Sequence, residues 1–365
     1  MPQQQQQQPT LFVATRKGLF VVRPSAGGWS LGTPHFVGEP VSQVLANPHD
    51  GAWYAALRLG HFGVKLWKST DLGANWTEVV APAFPPKPDD ATDDTTPWSV
   101  DQIWSLEATP GALWAGCIPA GLFKSTDGGA SWQLVESLWC RPERKEWFGG
   151  GYDHAGIHSI LPDPRDAKHL TVAISCGGVW QTRDGGESWH VSTQGMVAEY
   201  MPPERSEDPN IQDPHSVAQC AAQPDVLWCQ HHGGIYRSAD GGATWARIRT
   251  AQPSDFGFAV AAHPSDPQRA WFAPAIADAK RIPVDGRMVV GETRDGGATF
   301  DVHGEGLPSH DAYHLVYRHA LAVSADGRTL AMGSTTGGLW VSGDEGSTWR
   351  CLSRDLPPIA CVRLA

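Results

Sequence analysis

Ser125-Thr126-Asp127-Gly128-Gly129-Ala130-Ser131-Trp132 decides the fold, because close copies of it recur five more times. They begin at Ser69 (S-T-D-L-G-A-N-W), Thr182 (T-R-D-G-G-E-S-W), Ser238 (S-A-D-G-G-A-T-W), Thr293 (T-R-D-G-G-A-T-F) and Ser342 (S-G-D-E-G-S-T-W). Their aspartates, Asp71, Asp127, Asp184, Asp240, Asp295 and Asp344, lie 56, 57, 56, 55 and 49 residues apart. A fixed period of this size means an array of equivalent units. Within each copy, Asp bonds the backbone ahead of it, Gly supplies positive φ, and Ser or Thr adds a local hydrogen bond, so the pattern is a tight turn. Short apolar runs flank it, such as Gly121-Leu122-Phe123 before and Trp132-Gln133-Leu134-Val135 after. Each copy is therefore the hairpin between two antiparallel strands.

Two further runs precede each hairpin, which gives four strands per unit. The innermost are Val41–Asn47, Ile103–Ala108, Ile157–Leu161, His215–Ala221, Phe258–Ala262 and His319–Val323. A seventh unit lacks a recognisable turn pattern: Leu11–Thr15, Gly18–Val22 and Trp29–Leu31 supply three strands, and Ile359–Leu364 supplies the fourth. Joining both ends in one sheet closes a ring and removes exposed edges. The expectation is an all-β, seven-bladed β-propeller over residues 11–365. It has four-stranded antiparallel blades and a first blade closed by N- and C-terminal strands. Residues 1–10, with Gln3–Gln8, form an expected disordered Gln-rich tail.

The S/T-x-D-x-G-x-S/T-W turn resembles the Asp-box, or BNR, repeat. That repeat occurs in the sialidase, xyloglucanase and sortilin-like propellers and in a photosystem II assembly factor. The resemblance covers about residues 41–352 and implies a propeller. It leaves activity open, because the group contains enzymes and non-enzymes. Lys280-Arg281-Ile282-Pro283 is similar to the R-I-P motif of sialidases but lies in the sixth blade. The arginine clamp, Tyr–Glu pair and acid Asp of a sialidase have no assignable counterparts.

Composition narrows the partners. A formal net charge of −11 with no basic stripe argues against nucleic acid. No apolar run reaches the length of a membrane span. The start lacks the basic and apolar regions of a secretion signal, and the seven cysteines are odd in number with no C-x-x-C pair. Both point to a cytoplasmic protein with reduced thiols.

Function is sought in what breaks the repeat. Insertions fall at 81–101, 136–156, 192–214, 275–289 and 304–318, all on one face, where binding sites of rigid scaffolds collect. Three inner strands open with His: His158, His215 and His319, where other blades have Ser42, Trp104 and Phe258. Imidazoles from equivalent strands around one channel suit a transition metal such as Zn, Fe, Mn or Cu. The register of the fifth blade decides whether His215 belongs. Glu107 sits far down an inner strand, where a buried carboxylate tends toward a raised pKa and acid–base work. Asp153 and Asp213 complete the candidate catalytic carboxylates. Candidate ligand-binding residues are Arg58, His61, Trp139, Trp147, Tyr152, His154, His231, His232, Tyr317 and Arg318. Loop bases Arg16, Lys17, Arg141, Arg144, Lys280 and Arg281 share that face and suit an anion.

Two function classes follow. The first is a glycosyl hydrolase-like protein acting on a small-molecule or carbohydrate ligand at the channel mouth. It would use either a carboxylate pair roughly 5–9.5 Å apart or a His-bound metal that activates water. The alternative is a non-catalytic assembly propeller gripping a peptide or protein partner through the aromatic loop Trp139–Tyr152. The inner-strand histidines separate the two, because a pure scaffold has no need of them.

Overall fold

A computed structural model describes residues 9–365. Seven four-stranded antiparallel sheets make up the chain, as expected. The inner strands of blades 2 to 7 are Val41–Ala46, Gln102–Thr109, Ile157–Asp163, Pro214–Gln219, Gly257–Ala262 and Leu321–Val323. Blade 1 takes its inner strand, Ile359–Leu364, from the far end of the chain and pairs it with Leu11–Thr15 in the register Leu11↔Leu364 and Val13↔Val362. Of the expected tail, only Pro9 and Thr10 lie within the described residues. Thr10 exchanges backbone hydrogen bonds with Ala365 at 2.7 and 3.0 Å.

The repeated turn works as its chemistry dictates. In the blade 3 copy, the Ser125 hydroxyl donates to Asp127 (2.8 Å) and accepts from the Gly129 N–H (2.9 Å), while Asp127 accepts from the Ser131 N–H (2.9 Å) and hydroxyl (2.6 Å). The side-chain and backbone bonds from Ser131, with that from Ser125, hold the exposed Asp127 carboxyl down to about 2. The fourth position of the turn needs a left-handed backbone. Four copies supply Gly there, but Leu72 (φ 58°) and Glu345 (φ 61°) adopt it in the other two.

Strands are buried on both faces, because each blade is sandwiched between neighbours. The alternation of a half-exposed sheet is therefore missing from strands such as Trp53–Arg58 and Gly178–Thr182. Fully buried Trp114, Trp180, Trp228, Trp271 and Trp340 fill the inter-blade layers. Each removes enough apolar surface from water to contribute on the order of 3 kcal/mol. Polar atoms also reach from one blade to the turn of the next. Tyr54 donates to the Gly128 carbonyl (3.1 Å), Gln181 to Gly241 (2.6 Å) and Trp271 to Glu345 (3.1 Å). The scaffold turns and the long loops thus occupy separate ends of the ring.

Candidate functional site

One residue near the start of most inner strands is bulged out of register. The pairing skips Ala360, Ser42, Trp104, His158 and His215 in blades 1 to 5, and Phe258–Ala259 in blade 6. A bulge re-aims a side chain and frees backbone groups, and here the neighbouring blade takes many of them up. Ser42 donates to the Ile103 carbonyl (2.9 Å), Ser105 to Ile157 (2.9 Å) and His215 Nδ1 to Gly257 (2.7 Å). The fifth blade therefore keeps register, and His215 occupies the position equivalent to His158. In blade 7 the strand begins at Leu321 rather than His319, because a turn from Tyr317 to Ala320 precedes it. His319 instead bridges to Cys361.

Above this ring lies a cavity of about 680 Å³. Arg16, Arg58, Arg281 and Arg318 line it, and none of the described residues lining it is acidic. Trp104, Tyr152 and Tyr317 add aromatic surface. Arg58 is paired with Asp101 (2.7 Å) and Arg281 with Asp278 (2.5 Å). Arg318 differs. It is 8% exposed, lies over Trp104 (4.8 Å) and Phe258 (5.4 Å), and its buried Nε has no hydrogen-bond partner. Burial lowers its pKa, and the field of Asp213 opposes that only in part.

Beside the cavity sits a tight polar cluster. Asp213 and His215 stand two apart at the start of the blade 5 inner strand. His232 follows the adjacent strand, its N–H donating to the Asp213 carbonyl at 2.9 Å. Asp213 Oδ2 is 3.3 Å from His215 Nε2 and 3.5 Å from His232 Nδ1, and Oδ1 accepts from the Cys176 N–H (3.1 Å). Burial alone would raise the Asp213 pKa, but His215, His232 and the charge of Arg318 hold it well below the usual carboxylate range. Burial lowers His215 as well, against the pull of Asp213.

Several expectations from the sequence are corrected. His158, His215 and His319 are not a ligand set: among the described residues the metal-competent group is Asp213, His215 and His232. His319 Nε2 is committed to the carbonyl of His158 (2.7 Å), spanning the channel from blade 7 to blade 4. Burial lowers its pKa to about 4. His158 Nδ1 meets its neighbour Ser159 (2.9 Å) and its ring stands edge-on to Trp104. Glu107 is not an unpaired buried carboxylate. Arg363 crosses from blade 1 to hold both of its oxygens and the Leu106 carbonyl (3.2 Å). Trp139 and Trp147 are framework rather than ligand surface. Trp139 packs on Phe84 and Trp98 beneath Arg144, whose buried pairing with Asp94 (2.6 Å) ties two loops together. Trp147 packs on Trp180.

Among the remaining candidates, Tyr152, Tyr317, Arg58 and Arg318 line the cavity. Asp153 is exposed, and His154, next to it, is half-buried. His61 is exposed beside Phe62, outside the cavity lining. His231 is fully buried, its ring nitrogens facing the N–H groups of Asp213 (3.1 Å) and Gly233 (2.9 Å). Burial takes its pKa down to about 3. Sequence reasoning missed Trp104 and Phe258 as the rings that clasp Arg318. The signal was their bulge position, equivalent to that of His158.

No family model matches the chain. The chain is 26% identical over 235 residues to the xyloglucanase Xgh74A of Acetivibrio thermocellus, covering 58% of this chain and 25% of that protein. It is 26% identical over 160 residues to the oligoxyloglucan-reducing end-specific xyloglucanase of Emericella nidulans, covering 40% and 18%. The chain thus spans a quarter or less of the length of these relatives. Among solved structures, an ancestral GH74 enzyme superposes with a TM-score of 0.59 at 19% identity, covering 89% of this chain and 38% of that one. YCF48 bound to D1 peptide superposes at 0.53 with 14% identity, covering 86% and 81%. The chain is thus a seven-bladed β-propeller that shares the fold of the ancestral GH74 enzyme and of YCF48.

Proposed function

We propose that the chain is a hydrolase-like propeller whose channel mouth binds an acidic sugar, a carbohydrate carrying a carboxylate. The observation that carries this reading is Arg318, a buried cation whose Nε has no hydrogen-bond partner among the described residues, set in a cavity with no acidic residue in its described lining. A guanidinium held flat by aromatic rings presents a fork that matches a carboxylate in two-point geometry. Tyr152 and Tyr317 offer apolar faces to a sugar ring beside it. The xyloglucanase relatives support the carbohydrate class. The arrangement does not favour a carboxylate-pair mechanism, because Glu107 is neutralised by Arg363 and Asp213 is held by two imidazoles and a backbone N–H.

Titration calorimetry with hexuronate oligosaccharides, neutral xyloglucan oligosaccharides and a peptide ending in a free carboxylate tests this. The acidic sugar should bind, and Arg318→Met should weaken it more than tenfold. Preference for the neutral sugar, or affinity unchanged by Arg318→Met, would overturn it. Binding of the peptide alone would transfer the site to the assembly reading.

A further inference from the structure

We propose that Asp213, His215 and His232 form a three-ligand centre for a divalent transition metal of the zinc type. The site is distinct from the arginine cavity and needs no acidic sugar to exist.

The argument starts from a tautomer. His215 Nδ1 lies 2.7 Å from the Gly257 carbonyl, which can only accept, so Nδ1 carries the proton. In the neutral imidazole Nε2 then bears a lone pair. That lone pair faces Asp213 Oδ2 at 3.3 Å, and both side chains are buried. Two acceptors held at this distance repel unless a cation, either a metal ion or a proton on Nε2, lies between them, and metal uptake distinguishes the two. His232 Nδ1 approaches the same oxygen at 3.5 Å, and the three ligand atoms all lie within 4.8 Å of one another. Ligands about 2.0–2.1 Å from a tetrahedral zinc stand about 3.4 Å from one another, which fits both measured edges.

The surroundings complete the design. The Gly257 carbonyl fixes the His215 ring, and the Cys176 N–H occupies Asp213 Oδ1, leaving Oδ2 for the cation. Phe258 stacks on His215 with ring centres 4.4 Å apart and 12° between planes, which locks its direction. The loop covering Asp213 does so at Gly150, where an added Cβ would come within 3.1 Å of Oδ2. His232 is half-buried, so the site has an entry side. Three protein ligands with an open fourth position are the pattern of a catalytic rather than a structural zinc. The metal would act there as a Lewis acid on a bound water or oxygen ligand.

The experiment uses the untagged full chain, stripped with chelator and reloaded with Co²⁺. Metal content is read by plasma mass spectrometry and coordination by the visible bands of tetrahedral Co²⁺. About one ion per chain with tetrahedral bands is expected. His232→Ala, at a half-exposed position that should fold, should lose the bands and weaken binding at least tenfold. Asp213→Asn should do the same if near-ultraviolet dichroism shows it folded. His61→Ala, an exposed histidine elsewhere, should change nothing. Arg318→Met should leave cobalt uptake intact, which separates this site from the anion pocket. No stoichiometric uptake by the wild type, or uptake that survives His232→Ala, would overturn the proposal.

Discussion

Arg318 lies with its guanidinium carbon 4.8 Å from the centre of the Trp104 ring, and Trp104 is the residue bulged out of the blade 3 inner strand. One irregularity in a strand thus supplies the platform for the buried cation of the cavity. A charge kept from water without a matching carboxylate is held at a cost to stability. Arg318→Met keeps the stem packing and removes that cost. The variant should be more stable than the wild type by about 1–2 kcal/mol in urea unfolding while losing anion binding. A less stable variant that still binds anions would show that Arg318 is structural.

Glu107 and Arg363 brace the channel from blades 3 and 1. Glu107→Gln should cost about 1–2 kcal/mol, since both side chains remain partly open to solvent. Arg363→Met alone should cost a similar amount. The double variant should cost less than the two losses added, because the pair is coupled. Ligand affinity at the cavity should not change in Glu107→Gln. A loss there, with the fold intact, would return Glu107 to the catalytic role expected from sequence.

Leu72 holds a left-handed backbone in the blade 2 turn, with its side chain exposed. Four of the six turns use Gly at this position. Leu72→Gly should therefore stabilise the protein by about 0.5–1 kcal/mol, the strain relieved being partly offset by the entropy of an added glycine. Chemical denaturation reads the difference, and a destabilised variant would mean that the leucine side chain contributes packing.

The turn aspartates set an acid limit. Hydrogen bonds from Asn75 and Ser69 hold Asp71 to about 2, those from Ser131 and Ser125 hold Asp127 to about 2, and those from Thr299 and Thr293 hold Asp295 to about 2, against an ordinary value of 3.8. A carboxylate whose pKa falls on folding adds stability above its unfolded value and loses it as pH drops through the folded one. The melting temperature should thus decline between about pH 4 and pH 2. Asp127→Asn should flatten that decline. A profile identical to the wild type would remove the turn carboxylates as the cause.

The architecture was legible because turn chemistry is local: hydroxyl, Asp and Gly make their bonds within four residues, whichever blade they occupy. The starts of the inner strands were legible in part: the alignment of blades put His158 and His215 at equivalent positions, but His319 lies ahead of its strand, in the turn from Tyr317 to Ala320. What that alignment hid is direction. His319 points across the channel to a carbonyl, and His215 turns sideways, Nδ1 to the Gly257 carbonyl of the next blade and Nε2 to Asp213 of its own. Asp213 and His232 join it because two paired strand ends meet there, a relation between neighbours in one sheet rather than around the ring. The aromatic loop misled for a similar reason. Composition marks Trp139 as a large apolar group but is silent on whether it faces outward, and the Arg144–Asp94 pair turns it inward.

The bulged residues separate two tasks that most folds entangle. In blades 2 and 5 the bulged side chain, Ser42 or His215, itself bonds a carbonyl of the next blade, whereas in blade 3 the following residue, Ser105, makes that bond and leaves the bulged Trp104 to the cavity. Alanine, serine, tryptophan, two histidines and phenylalanine occupy equivalent seats in blades 1 to 6. The channel mouth is in effect a dial of equivalent positions, where new chemistry can be installed one blade at a time wherever a neighbouring hydroxyl such as that of Ser105 already ties the blades together.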